Sequence, residues 1–84
     1  MSLWDAINEV LFTITSATAK GLASGFVPLS EIGAALVRNG ALKDYGSGTA
    51  TRRQLRVVLS EIKRYGGECE IKIKGNEVFI RAKF

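Results

Sequence analysis

The sequence contains no histidine and only one cysteine, Cys69. Without histidine, the chain has no imidazole for acid–base catalysis, and no Ser–His or Cys–His nucleophile pair can form. A single cysteine cannot close an intramolecular disulfide and does not supply the paired thiolates of a zinc site. These absences predict a protein that is not an enzyme and that uses no metal or cofactor.

Long apolar runs are also missing. No stretch of about 18 apolar residues could span a membrane, and the N-terminal segment MSLWDAINEV lacks the basic region of a signal peptide. A composition of 46% hydrophobic and 24% charged residues nevertheless predicts a folded chain. The 84 residues therefore predict one soluble, cytoplasmic domain, residues 1–84. Its small core leaves room for self-association.

The positive charge is concentrated in the second part of the chain. Residues 1–51 contain three basic and four acidic side chains, whereas residues 52–84 contain nine basic and four acidic ones. Such a concentration is typical of a surface that binds phosphates, although a charged face can also simply be solvated.

Apolar residues recur at helical spacing from Leu3 onward and predict a first helix over residues 3–20. Ser2 and Asp5 have the spacing of a capping box at its start. Phe12 lies on the opposite side from Leu3, so we expect its ring to be exposed. It is either a solitary exposed aromatic residue or the contact of a homodimer formed through this helix.

Residues 26–28 predict a very short strand, because Pro28 disfavours helix at the residue before it. Ser30 can cap a second helix over residues 31–39. Gly33 inside this helix is unfavourable relative to alanine by about 1 kcal/mol, so it indicates a close crossing with another helix.

The glycine-rich segment 40–50 is predicted to be a loop, with Gly40 ending the second helix. Thr51 and Gln54 then form a capping-box pattern for a third helix over residues 52–65. The apolar stripe of this helix consists of Leu55, Val58, Leu59 and Ile62. One flank beside the stripe is almost purely cationic and consists of Arg52, Arg53, Arg56, Ser60, Lys63 and Arg64. An anionic partner would relieve the repulsion along that flank.

The C-terminal segment 68–84 alternates between apolar and charged residues around Gly75-Asn76, which predicts a β-hairpin. With a two-residue turn, Lys74 lies opposite Glu77 and Glu70 opposite Arg81, which gives complementary pairs. The apolar face is expected to cover the helices and consists of Cys69, Ile71, Ile73, Val78, Ile80, Ala82 and Phe84. Cys69 is thus expected to be a small core residue.

Phe79 breaks the alternation, because it lies on the charged face near Lys72, Lys74 and Arg81. We expect it to be exposed. An aromatic ring among cations can stack on a base or sugar, or it can pack against the lysine stems.

The order of these elements, with LSEIGAAL as second helix, TRRQLRVVLSEIKRYGG as third helix and the hairpin as wing, resembles the winged helix-turn-helix family. The resemblance implies an α+β fold with a three-helix core and a C-terminal wing. It places Thr51, Arg52, Arg53, Arg56 and Ser60 on the groove-facing part of the recognition helix, and Lys72, Lys74 and Arg81 on the wing. The loop 40–50 departs from the family, whose basic motif has a short turn here.

The resemblance and the basic flank together predict a small DNA-binding protein, either a transcriptional regulator or an architectural factor. It would bind duplex DNA through the basic recognition helix and the wing. Two alternatives stay open. The fold could serve as a protein–protein adaptor, or the basic surface could bind RNA.

Overall fold

The computed structural model describes residues 2–18, 26–67 and 69–81. Three helices and three strands follow one another in these ranges: α1 (Leu3–Thr18), β1 (Val27–Pro28), α2 (Leu29–Arg38), α3 (Arg52–Tyr65), β2 (Glu70–Lys74) and β3 (Glu77–Arg81). The fold class is α+β, as expected. Residues 19 and 20 of the predicted first helix and residues 68 and 82–84 of the predicted hairpin lie outside the described residues.

Helix α1 begins with the predicted capping box. The Asp5 N–H donates to Ser2 Oγ at 3.1 Å, and the Ser2 N–H donates to Asp5 Oδ2 at 3.2 Å. Its apolar side contributes Ile7, Val10 and Leu11 to the core. Phe12 is 58% exposed, which confirms that its ring lies off the core. The homodimer through this ring stays a prediction.

The cap of α1 should be visible in the titration of Asp5. The Ser2 backbone N–H and then its side chain lower the pKa of the Asp5 carboxyl by hydrogen bonding to it. A depressed folded pKa makes the cap stabilising above the unfolded pKa of about 3.9, and this contribution disappears as the pH falls through the folded value. In NMR titrations we expect Ser2→Pro, which removes both donors, to raise the pKa of Asp5 more than Ser2→Ala. An unshifted Asp5 in the unsubstituted protein would contradict this cap.

Helix α2 begins two residues earlier than predicted, and the predicted cap at Ser30 is wrong. Pro28 has an extended ψ of 137° and is the N-cap residue, without a side-chain hydrogen bond, so the helix follows strand β1 directly. The helix ends at Arg38 instead of residue 39. Gly40 has a φ of +79° and ends it as predicted, and the N–H groups of Gly40 and Ala41 donate to the carbonyls of Val37 and Leu36. These bonds form a Schellman motif.

The predicted close crossing at Gly33 is confirmed. A Cβ atom on Gly33 would lie 2.5 Å from Leu55 Cδ2 and 2.7 Å from Ala50 Cβ. Helix α3 and the end of the preceding loop therefore lie directly against the α2 backbone at this point.

The sheet is antiparallel with strand order β1-β3-β2. Strand β3 pairs with β2 in the predicted register, with Glu70 opposite Arg81 and Lys74 opposite Glu77. Its other side pairs with β1, where Val27 lies opposite Ile80. Phe26 precedes β1 and is not part of it, so the strand is shorter than predicted.

The expectation that the whole apolar face of the hairpin covers the helices is wrong. Val27 and Ile80 are buried, Val78 and Cys69 pack against the core, but Ile71 is 36% and Ile73 67% exposed. The reason is the third strand. Because β1 joins on the far side of β3, these two strands cover the helices and β2 overhangs them as an edge strand. Within the described ranges, no helix is both long and apolar enough to cross a bilayer.

Candidate nucleic-acid interface

Helix α3 presents its cationic flank to solvent. The predicted capping box is present, since the Gln54 N–H donates to Thr51 Oγ1 at 3.1 Å and the Thr51 N–H donates to Gln54 Oε1 at 2.8 Å. Val58 and Ile62 are buried in the core, which fixes the rotation of the helix. The predicted site residues of this region are all exposed: Thr51, Arg52, Arg53, Arg56, Ser60, Lys63 and Arg64.

Among the described residues, these cations have no carboxylate partner. In residues 2–18, 26–67 and 69–81, the only ion pair within 4 Å joins Arg81 to Glu70. At the end of the flank, the Arg64 guanidinium lies 5.8 Å from the centre of the Tyr65 ring. Like charges on one helix face are unfavourable to each other, and a row of phosphates would neutralise them.

The loop before α3 is tied to the start of that helix. Asp44 Oδ1 accepts hydrogen bonds from the N–H groups of Gly46 (2.8 Å) and Gly48 (3.2 Å). Gln54 Nε2 donates to the Lys43 carbonyl at 2.8 Å. The Lys43 ammonium lies 5.2 Å from the centre of the exposed Tyr45 ring, a pair that no periodicity or motif in the sequence predicts. The long loop therefore holds a cation and an aromatic ring beside the start of α3.

A groove of about 290 Å³ separates α3 from the hairpin turn. Arg52 and Arg56 stand on its α3 side, and Asn76 and Glu77 stand on its hairpin side. The remaining lining residues come from the β1–α2 junction, from the apolar stripe of α3 and from β3: Pro28, Leu29, Ser30, Leu55, Leu59 and Val78. The first half of α3 and the tip of the hairpin thus border the same surface.

The outer face of the sheet is organised around Arg81. Its guanidinium binds both carboxylate oxygens of Glu70 at 2.7 Å and lies 4.7 Å from the centre of the Phe26 ring. The Lys72 ammonium approaches the same ring at 5.6 Å. Arg81 is therefore held in place within the sheet, whereas Lys72 and Lys74 are exposed.

The expectation that Phe79 is exposed is wrong. It is half-buried because β1 extends the sheet beyond it, and it lies between Lys72 on one side and Pro28 on the other. The aromatic ring that the Lys72 and Arg81 cations share is Phe26. Sequence reasoning missed Phe26 because only the pairing of β1 with β3 brings it to this face.

Comparisons of the chain with protein-family models, with curated proteins and with solved structures found no match. Among the described residues, no group of three or more carboxylate or thiol side chains could hold a metal ion. What the surface can do chemically is therefore inferred from its own side chains. They offer guanidinium and ammonium groups, which bind phosphate oxygens and the edges of bases.

Proposed function

We propose that the chain binds duplex DNA as a winged-helix protein, with α3 as recognition helix and the β2–β3 hairpin as wing. The observation that carries the proposal is the cationic flank of α3, which has no carboxylate partner in the part of the chain that the structure describes and which borders the same groove as the hairpin turn. The element order and the position of β1 beside β3 are compatible with this arrangement.

The first half of α3 suits the major groove. In helix-turn-helix proteins, the N-terminal residues of the recognition helix contact base edges. Here Arg52, Arg53 and Arg56 are exposed in that half, and arginine is the residue that binds the guanine edge through two parallel hydrogen bonds. Lys63 and Arg64 lie about two to three turns further along the helix and would reach the phosphate backbone.

The wing would supply phosphate contacts beside the helix. Lys74 is exposed next to the turn, and Lys72 is exposed on the outer face. Unlike these lysines, Arg81 is not expected to bind phosphate in this proposal. Its ion pair with Glu70 and its position over Phe26 stiffen the sheet instead. Its contribution to DNA binding is then to hold the wing in shape.

Duplex DNA is favoured over single strands and over RNA by the shape of the surface. Single-strand binding uses aromatic platforms on which several bases stack. The row Arg52, Arg53, Arg56, Ser60, Lys63 and Arg64 contains no aromatic side chain, and the exposed rings of Tyr45 and Tyr65 each lie beside a single cation. Phe26 and Phe79 are half-buried. A helix bearing arginines enters the major groove of B-form DNA, whereas the deep, narrow major groove of A-form RNA excludes it. We therefore propose that the protein is a transcriptional regulator or an architectural factor.

The affinity for duplex DNA should depend steeply on salt. If Lys63, Arg64, the two wing lysines and one or two of the arginines at the start of α3 neutralise phosphates, the logarithm of the association constant should fall with the logarithm of salt concentration with a slope of about −4 to −6. Fluorescence anisotropy at several salt concentrations measures this slope. Single-stranded DNA and duplex RNA of the same length are the controls, and a salt-independent or RNA-preferring interaction would refute the proposal.

The adaptor function is the second candidate, and one observation favours it. The walls of the groove include Leu55, Leu59 and Val78, so an apolar peptide side chain could enter it. Two arginines border the same groove, however, and charged residues are depleted at the cores of protein interfaces. An adaptor would bind a protein ligand, and substituting Arg53 would not change its affinity for that ligand. It would show no salt-dependent affinity for DNA.

A further inference from the structure

In the described part of the chain, β2 is an edge strand of the sheet. β2 is the last strand in the order β1-β3-β2, so within the described residues no strand pairs with its other side. Ile71 and Ile73 are exposed along this edge, and neither belongs to the core or to the residues packed against it. An edge with exposed apolar side chains is a template for pairing with another strand.

The hairpin turn determines which backbone groups face that edge. Lys74 and Glu77 flank the two-residue turn and form the hydrogen-bonded pair next to it. Hydrogen-bonded and non-hydrogen-bonded pairs alternate along an antiparallel ladder. The N–H and C=O groups of Ile71 and Ile73 therefore point away from β3 and toward the open edge.

We propose that β2 pairs with β2 of a second copy of this chain, antiparallel and with Ile71 opposite the partner's Ile71. In this register Glu70 lies opposite the partner's Lys72, and Lys72 lies opposite the partner's Glu70. The exposed Ile73 lies opposite the partner's Cys69, which precedes the partner's β2 and whose N–H already donates to the Gly66 carbonyl, so the two-way hydrogen bonding is confined to the Ile71 pair. The charged residues on one face are thus complementary across the two-fold axis, and the residues on the other face are all apolar. The two sheets would form one continuous six-stranded sheet.

The charges on β2 favour a second copy of β2 as the strand that pairs with this edge. Lysines on an edge strand normally prevent pairing, and only a strand with carboxylates at matching positions removes that obstacle. The strand's own sequence supplies them. The register shifted by one residue, centred on Lys72, would place two lysines opposite each other. Glu70 already binds Arg81, and its carboxylate can accept a further hydrogen bond from a lysine.

Cysteine cross-linking tests the register. Paired residues at a hydrogen-bonded position have Cα atoms about 5.5 Å apart, which is within the range of a disulfide. In a Cys69→Ala background, Ile71→Cys should give a covalent dimer under mild oxidation. Ile73→Cys is the matched control, since its own copies would lie about 13 Å apart. No cross-link for Ile71→Cys, or equal cross-linking for both variants, would overturn the register.

Sedimentation equilibrium without nucleic acid tests the association itself, independently of the DNA-binding proposal. We expect a reversible dimer that Ile73→Lys weakens at least about tenfold. Lys72→Glu should weaken it as well, because it creates Glu–Glu pairs, whereas Lys43→Glu in the loop should not. Circular dichroism checks that each variant is folded, as expected for exposed positions. A monomer at millimolar concentration, or a dimer that only Phe12→Asp dissociates, would overturn the proposal.

Discussion

Replacing Arg53 and Arg56 together by alanine should remove most of the affinity for duplex DNA and leave the free energy of unfolding nearly unchanged. Both side chains are exposed and have no carboxylate partner among the described residues, so their loss removes no folded-state ion pair. Each lost arginine contact to a base or phosphate weakens binding by about 1–3 kcal/mol, so we expect a decrease of about 30-fold or more. Anisotropy titration and chemical denaturation measure the two quantities.

Two further variants make the result specific. Arg38→Ala removes an exposed arginine at the end of α2, beside the groove between α1 and α2, and should change the affinity little. Replacing Arg53 and Arg56 by lysine keeps the positive charge but removes the bidentate hydrogen bonding of the guanidinium groups. Restored affinity would assign these residues to phosphates, and persistent loss would assign them to base edges. Unchanged affinity in the alanine variant would remove α3 from the interface.

Local signals in the sequence predicted the elements whose ends depend on neighbouring residues. The Thr51–Gln54 capping box is a contact between residues three positions apart, and it is present as expected. The Gly75-Asn76 turn likewise fixed the register of β2 against β3, with a positive φ of 62° at Gly75. In both places the residues that determine the structure lie within four positions of one another in the chain.

The start of α2 could not be predicted from local signals alone. Ser30 looks like a cap in the sequence, but Pro28 ends strand β1 and leads directly into the helix at Leu29. Strand β1 in turn exists through its pairing with β3, more than 50 residues away in the chain. Propensity at the boundary is a weaker influence than this tertiary contact.

The candidate site was predictable on the helix and less so on the sheet. The cationic flank of α3 follows from helical periodicity, because one buried stripe determines which residues are exposed. Alternation along the hairpin separates its two faces, but it does not tell how far the sheet extends over the helices. The exposure of Ile73, the partial burial of Phe79 and the contacts of Phe26 with Lys72 and Arg81 all depend on the third strand. That strand is only two residues long and has little signal of its own.

Gly33→Val should be among the most destabilising single substitutions in the chain. A Cβ at this position already comes within 2.5 Å of Leu55 Cδ2 and 2.7 Å of Ala50 Cβ, and valine adds two more methyl groups. The leucine end can rotate, but Ala50 Cβ moves only with its backbone, so α2 and the start of α3 must separate. Overpacking of this kind is unfavourable by about 1–3 kcal/mol or more, whereas the gain in helix propensity is at most about 1 kcal/mol. We expect a decrease in the free energy of unfolding of about 3 kcal/mol, measured by urea denaturation.

Gly33→Val also tests whether the packing of α2 against α3 affects DNA binding. Leu55 and Ala50 flank the capped start of α3, where Arg52 and Arg53 lie, so displacing them would tilt the cationic flank relative to the hairpin. At a temperature where the variant is still folded, its affinity for duplex DNA should fall although every cation is retained. Gly67→Val is the matched control, because a Cβ on Gly67 would meet no atom within 4 Å. If Gly33→Val were as stable as the control, the close crossing of α2 and α3 would be wrong. If it were destabilised but bound DNA with full affinity, the orientation of α3 would have no part in binding.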